Sequence, residues 1–251
     1  MLQRVSGALS SVWQHLRKRD REELLLLGGM VVLIATLLIV VNLAGEVLEG
    51  DTLHFDERIL ASLRNAEDPA SPIGPRWLEQ VAFDLTALGG PTVLGLAVAA
   101  VVGFLLLHGA VRNAVFVLVA CGGGWVLNNV LKELFGRERP DVVPHLREVM
   151  TLSFPSGHAL TSAVVYLTLG ALLMRVVQGR AAKFYLMAVA VLTTILIGLT
   201  RIYLGVHYPT DVMAGWLIGM SWALACWLVA RVLDRRAGLR RERVEAHLNE
   251  P

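Results

Sequence analysis

Residues 24–44 read LLLLGGMVVLIATLLIVVNLA, 21 residues without one charge. As a helix this stretch is about 31 Å long, the thickness of the hydrocarbon core of a bilayer. It is the first of six such apolar runs. The others cover 90–107, 114–131, 159–177, 184–199 and 212–233, the fifth being short enough to need its flanks to cross. The whole chain, 251 residues, is 55% hydrophobic and only 18% charged. A soluble domain averages about 25% charged residues and does not hold so many uninterrupted runs. The composition therefore predicts an all-α polytopic membrane protein with six transmembrane helices.

Lysine and arginine set the expected orientation. With six spans both termini share one side. That side collects Arg4, Arg17, Lys18, Arg19 and Arg21, then Arg112, then Arg175, Arg180 and Lys183, then the six arginines of 231–243. Fifteen basic residues stand there against eight on the other side, which carries 14 of the 21 acids. Both termini are expected in the cytoplasm of a bacterial inner membrane, with the opposite face toward the periplasm. The formal net charge of +2 gives no reason to expect nucleic acid. No cleavable signal peptide is expected, because residues 1–23 are polar and the run after them is long enough to remain as a helix. Cys121 and Cys226 fall inside apolar runs and read as small buried hydrophobes, not as a disulfide framework.

Three segments flank the runs. In the arm 1–23, Leu2, Val5, Leu9, Val12, Trp13 and Leu16 recur at helical spacing before a basic cluster. This predicts an amphipathic N-terminal helix on the membrane surface, with anchoring preferred over partner binding. The acidic loop 45–89 holds a short helical pattern in Phe55, Ile59, Leu60 and Leu63, a break at residues 71–75, and a second pattern in Trp77, Val81 and Leu85. It reads as a partial lid on the outer face or as a solvated connector. Residues 234–251 form a basic tail, leaving 24–233 as the membrane domain.

The chemistry lies at the outer ends of the runs. Pro155-Ser156-Gly157-His158 opens the fourth, where Ser156 stands at an N-cap position and Gly157 lets a ligand approach the backbone. Amide groups at a helix start attract an anion. Lys132 closes the third run, with Asn128 one turn earlier, and Arg139-Pro140 follows after a short connector. A lysine at a span end is commonly an interface anchor. A guanidinium beside a proline is a directed fork suited to phosphate oxygens. Arg201 closes the fifth run, and His207 and Asp211 open the sixth, where Pro209 fits the first turn. Asp211, four residues past His207, can hold one imidazole nitrogen and leave the other nucleophilic, or can be a structural cap.

Lys132-x6-Arg139-Pro140, then Pro155-Ser156-Gly157-His158, then Arg201-x5-His207-x3-Asp211 resembles the signature of the type 2 phosphatidic acid phosphatase superfamily. Thr200 stands where the family pattern has Ser and keeps the hydroxyl. The resemblance covers about residues 24–233. It implies that His207 is the nucleophile, forming a phosphohistidine, that Asp211 orients it, and that His158 protonates the leaving oxygen and then activates water. Lys132, Arg139, Ser156, the Gly157 amide and Arg201 would hold the phosphoryl oxygens. Phosphoryl transfer needs mainly positioning and charge stabilisation, which three cations can supply. No metal or other cofactor is expected, since the seven histidines are scattered and no His-Glu-x-x-His pattern occurs. The expected partners are membrane lipids and a lipid phosphate or pyrophosphate: undecaprenyl pyrophosphate, phosphatidylglycerol phosphate, phosphatidic acid or lipid A phosphate. No obligate protein partner is indicated. The alternative reading is a transporter or a non-catalytic lipid-handling protein whose cationic pocket only binds phosphate. Charge pairs within the spans would favour it, and the middles of the six runs hold none.

Overall fold

The apolar runs become helices because nothing in them interrupts backbone hydrogen bonding where no water can replace it. The structure, a computed structural model, describes residues 21–146 and 151–248, with the backbone alone at 21–22 and 238–248. Its elements are α1 (Arg21–Glu49), α2 (Leu53–Ser62), α3 (Arg76–Ala87), α4 (Pro91–Leu107), α5 (Val111–Phe135), α6 (Gly157–Val176), α7 (Arg180–Tyr203) and α8 (Pro209–Leu248). Among the described residues five helices are long and apolar enough to cross a membrane, and α3 and α4, joined at a 44° bend, reach that length and apolarity together. The amphipathic helix expected over the arm lies outside the described residues. α8 runs past the end of its apolar stretch to Leu248. Arginine, glutamate, alanine and leucine, all good helix formers, carry it on.

The outer face of the bundle is built for lipid. On α1, Val31, Leu38 and Val41 are 66%, 66% and 69% exposed. A stripe of that size facing water would be an aggregation surface. α1 docks through Ala44 and Val47, which join Phe154, Leu160, Val164, Ala214 and Ile218 in one buried cluster.

The backbones of α6 and α8 approach closely, and small residues allow it. A Cβ on Gly215 would stand 2.8 Å from the Ser156 carbonyl oxygen, and one on Gly219 would stand 2.5 Å from that of Leu160. Glycine at a four-residue spacing lets the two backbones meet. Two tryptophans of α8 then lean outward over other glycines. Trp216 lies on Gly198 of α7 and donates to the Thr194 carbonyl at 3.0 Å. Trp222 lies on Gly123 of α5 and donates to the Ala120 carbonyl at 2.8 Å. The starts of α6 and α8 and the ends of α5 and α7 are thereby gathered at one end of the bundle.

The loop 45–89 is part of that end. α2 buries Leu60 against Val143, Ala159, Ile202, Tyr208 and Val212. α3 buries Ala82 with Leu204 and Val206. The α3–α4 bend is held by the Tyr166 hydroxyl, which donates to the Leu88 carbonyl at 3.0 Å. The two short helical patterns of the sequence are both present, and they pack into the fold rather than lying on it as a solvated connector.

Candidate active site

His207 enters through a tight turn. Gly205, at φ +73°, turns the chain after α7, and Pro209 starts α8 two residues beyond His207. Only glycine adopts that φ readily. His207 is 1% exposed and Asp211 is fully buried. Nδ1 of His207 lies 3.4 Å from Oδ2 of Asp211 and 3.3 Å from the Ser153 hydroxyl. That same carboxylate oxygen accepts hydrogen bonds from the Ser153 hydroxyl and, at 2.9 Å, from the Tyr208 amide.

Three cations converge on the ring. Gly136, at φ +58°, ends α5 as a left-handed cap and turns the chain toward α8. Arg139 then donates to the Thr151 carbonyl at 2.6 Å and to the Thr151 hydroxyl at 3.0 Å, and stands 3.1 Å from Nε2 of His207. Lys132 is buried at the end of α5 and donates to the Leu152 carbonyl. Arg201, 1% exposed at the end of α7, donates to the Thr86 hydroxyl at 2.9 Å. Burial holds His207 well below the ordinary imidazole pKa, and the charges of Arg139, Arg201 and Lys132 push it further down. Burial also lowers the Arg139 guanidinium to about 10, against the pull of Asp211. Such crowding of buried positive charge is costly unless an anion shares the space.

Pro155-Ser156-Gly157-His158 is tied to the same centre. The Ser156 amide donates to the Asp211 backbone carbonyl at 3.0 Å. Ser156 occupies the N-cap position of α6, but its side chain makes no capping hydrogen bond. The buried hydroxyl has no partner among the described residues. The sequence places the cap correctly, while the tertiary structure leaves the hydroxyl unused by the helix. Leaving it so costs about 1–3 kcal/mol. Gly157 faces the Asn128 amide, whose atoms would lie 3.3 Å from an added Cβ. The His158 ring fits against Gly89 at the α3–α4 bend, 3.2 Å from where a Cβ would be.

A groove of about 440 Å³ leads away between α4, α5 and α6. Lys132, Thr151, Gly157 and His158 stand at its polar end, and Leu94, Val98, Leu118, Trp125 and Val165 line the rest.

The structure also brings in residues for which the sequence offered no role. Ser153 bridges His207 and Asp211. Arg137 donates to Oδ1 of Asp211 at 2.6 Å, to Oδ2 of Asp56 at 2.9 Å and to the Thr210 hydroxyl at 2.9 Å, and its guanidinium lies 4.2 Å from the Tyr208 ring centre. Burial alone would lower its pKa, but Asp211 and Asp56 outweigh that and raise it. Asp56 is one acid among many in the outer loop. Its only sequence signal is its place on the apolar side of a short helical pattern.

Residues 110–235 match the PAP2 superfamily. The chain is 32% identical over 145 residues to phosphatidylglycerophosphatase B of Bacillus subtilis, covering 57% of this chain and 71% of that protein. It is 38% identical over 110 residues to decaprenylphosphoryl-5-phosphoribose phosphatase of Mycobacterium tuberculosis, covering 41% of this chain and 55% of that one. The fold superposes on the crystal structure of the transmembrane PAP2 type phosphatidylglycerolphosphate phosphatase from Bacillus subtilis with a TM-score of 0.71 and 26% identity, over 81% of this chain and 96% of that one. On the match over residues 110–235, the relatives and the shared fold together, this chain belongs to the PAP2 superfamily.

Proposed function

We propose that this PAP2 lipid phosphatase removes phosphate from a lipid phosphate or pyrophosphate through a phosphohistidine on His207, without a metal. The observation that carries the reading is the two-sided setting of that imidazole. Nδ1 faces Asp211 and Ser153, and Nε2 faces the cations.

Nε2 attacks phosphorus and the ester P–O bond breaks. His158 gives its proton to the departing oxygen. Lys132, Arg139, Arg201, the Ser156 hydroxyl and the Gly157 amide hold the three non-bridging oxygens as charge spreads over them. A water then loses its proton to His158 and attacks phosphorus. The P–N bond breaks, phosphate leaves, and both histidines return to their starting states.

The groove supports a lipid substrate. Its apolar walls would take hydrocarbon chains from the bilayer while the headgroup reaches Lys132 and His158. The excess of lysine and arginine on the opposite side supports a site on the outer, periplasmic face. Undecaprenyl pyrophosphate, phosphatidylglycerol phosphate, phosphatidic acid and lipid A phosphate all carry the required anion and apolar tail. The test is phosphate release from a panel of these four lipids in detergent with EDTA present. Turnover of at least one, inhibited by orthovanadate, is expected. Strict dependence on added magnesium would defeat the metal-free reading.

A further inference from the structure

We infer that Asp56, on the outer-loop helix α2, is a positioning residue for the reaction. It acts through Arg137 on Asp211 and so on His207. This rests on the reading of His207 as nucleophile.

The four side chains form one continuous line. Asp56 Oδ2 accepts from Arg137 Nη2 at 2.9 Å, and Arg137 Nη1 donates to Asp211 Oδ1 at 2.6 Å. Asp211 Oδ2 faces Nδ1 of His207. Both carboxylates are fully buried, and the Arg137 side chain is 14% exposed. α2 is thus a wall of the site.

Geometry is the first consequence. Asp211 can turn about its side-chain bonds unless both oxygens are occupied. Arg137 fixes Oδ1, and the planar guanidinium is itself fixed from its far side by Asp56. Asp56 also accepts from the Thr210 amide at 3.0 Å and from the Thr210 hydroxyl at 2.5 Å. It thereby anchors the first turn of α8, which carries Asp211.

Charge is the second. Between Asp56 and Asp211, Arg137 leaves one net negative charge behind a ring that faces Lys132, Arg139 and Arg201. Without Asp56, Arg137 would match Asp211 one for one. The positive charge that builds on His207 during attack would then lose its counterweight. Asp56→Asn keeps the shape and the acceptor for the Thr210 amide, while its NH2 group replaces the oxygen that faces Arg137, so the negative charge and the bond to Arg137 go together.

The experiment uses the purified full chain in detergent with a labelled lipid phosphate that the wild type turns over. Asp56→Asn is expected to lower the phosphoenzyme formation rate and kcat by about 10- to 100-fold. KM and inhibition by inorganic phosphate should stay within about 3-fold, as for an interaction made only in the transition state, while orthovanadate, which mimics that state, should weaken with kcat. The acidic limb of the rate should move to lower pH, because loss of a nearby negative charge lowers the His207 pKa. Asp56→Glu should recover part of the rate.

Wild-type kcat and pH limb in Asp56→Asn would overturn the inference. So would inorganic phosphate affinity falling in step with kcat, the mark of a merely structural role. If Asp56→Asn does not fold, Arg137→Lys carries the phosphoenzyme-rate, kcat and KM readouts with the pH limb unmoved, since an ammonium keeps the charge but cannot bridge two carboxylates as a planar fork. His207→Ala is the control. Phosphohistidine missing from the wild type overturns the nucleophile reading and this inference with it. Phosphohistidine present in the wild type and formed at an unchanged rate in Asp56→Asn overturns this inference alone.

Discussion

Arg139 holds a guanidinium nitrogen 3.1 Å from Nε2 of His207. A guanidinium can only donate. Nε2 therefore receives that contact with its lone pair, and the ring proton sits on Nδ1, toward Asp211 and Ser153. One arginine thus fixes the tautomer that the proposed attack by Nε2 requires. The same arginine presents its charge where phosphoryl oxygens would arrive. In the proposed reaction an incoming phosphoryl group takes over this contact, which would couple binding of the anion to release of Nε2.

The depressed His207 pKa has a direction that can be checked. An ordinary histidine is half protonated near pH 6.5. His207, held well below that, stays neutral as pH falls, the state the proposed attack needs. Phosphoenzyme formation should keep its rate down to a pH clearly below 6.5, measured by rapid quench across a pH series. Arg139→Ala removes a facing cation, so its acidic limb should move to higher pH while phosphate affinity falls. The stability sign follows from the same shift. Below about pH 6.5 the unfolded chain takes up a proton that the buried ring refuses, so folding loses stability as pH drops from there toward the folded pKa. A limb that moves to lower pH in Arg139→Ala would contradict the account.

The two site histidines should divide the work. His207→Ala should abolish trapped phosphoenzyme. His158→Ala should slow hydrolysis of a lipid phosphate by about 10²–10⁴-fold, the usual worth of a general acid. On p-nitrophenyl phosphate, whose leaving oxygen hardly needs a proton, the loss should be much smaller. Phosphate trapped on His207→Ala but not on His158→Ala would reverse the assignment.

Packing at Gly219 should govern stability at a distance from the chemistry. Alanine is normally favoured over glycine within a helix by about 1 kcal/mol. At Gly219 the new Cβ would lie 2.5 Å from a backbone oxygen of α6, which cannot rotate away. Overpacking of that kind costs about 1–3 kcal/mol, so it outweighs the propensity gain. Gly219→Ala should therefore lower the thermal midpoint in detergent. Gly28→Ala, with nothing within 4 Å, should leave it unchanged or raise it. Equal midpoints for the two variants would contradict the packing argument.

Topology can be read by labelling. In a background with Cys121 and Cys226 replaced, single cysteines at Ser71 and Pro144 should react with an impermeant maleimide from outside intact cells. A cysteine at Gln178, on the exposed α6–α7 turn, should react only after lysis. Labelling of Gln178 from outside would invert the chain and turn the site toward the cytoplasm.

How much could be read in advance depended on the range of the interaction. The helices α1 and α5 to α8 are plain in the runs, because hydrocarbon leaves a chain no other way to satisfy its backbone. α4 was harder: its 17 residues reach the length of a span only together with α3, and the 44° bend between them is held by Tyr166 of α6. Lys132, Arg139, Ser156, Gly157, His158, Arg201, His207 and Asp211 stood out because each lies at a helix end beside a proline, a glycine or a span boundary. What joins them did not. Gly215 and Gly219 draw α6 onto α8, and that approach sets Ser156 against Asp211. Asp56 meets Arg137 across 81 residues of chain. A run of apolar residues is a local property, so composition and order determine it. The pairing of a buried carboxylate with one arginine among many depends on which helix faces lie together, and only the folded chain decides that.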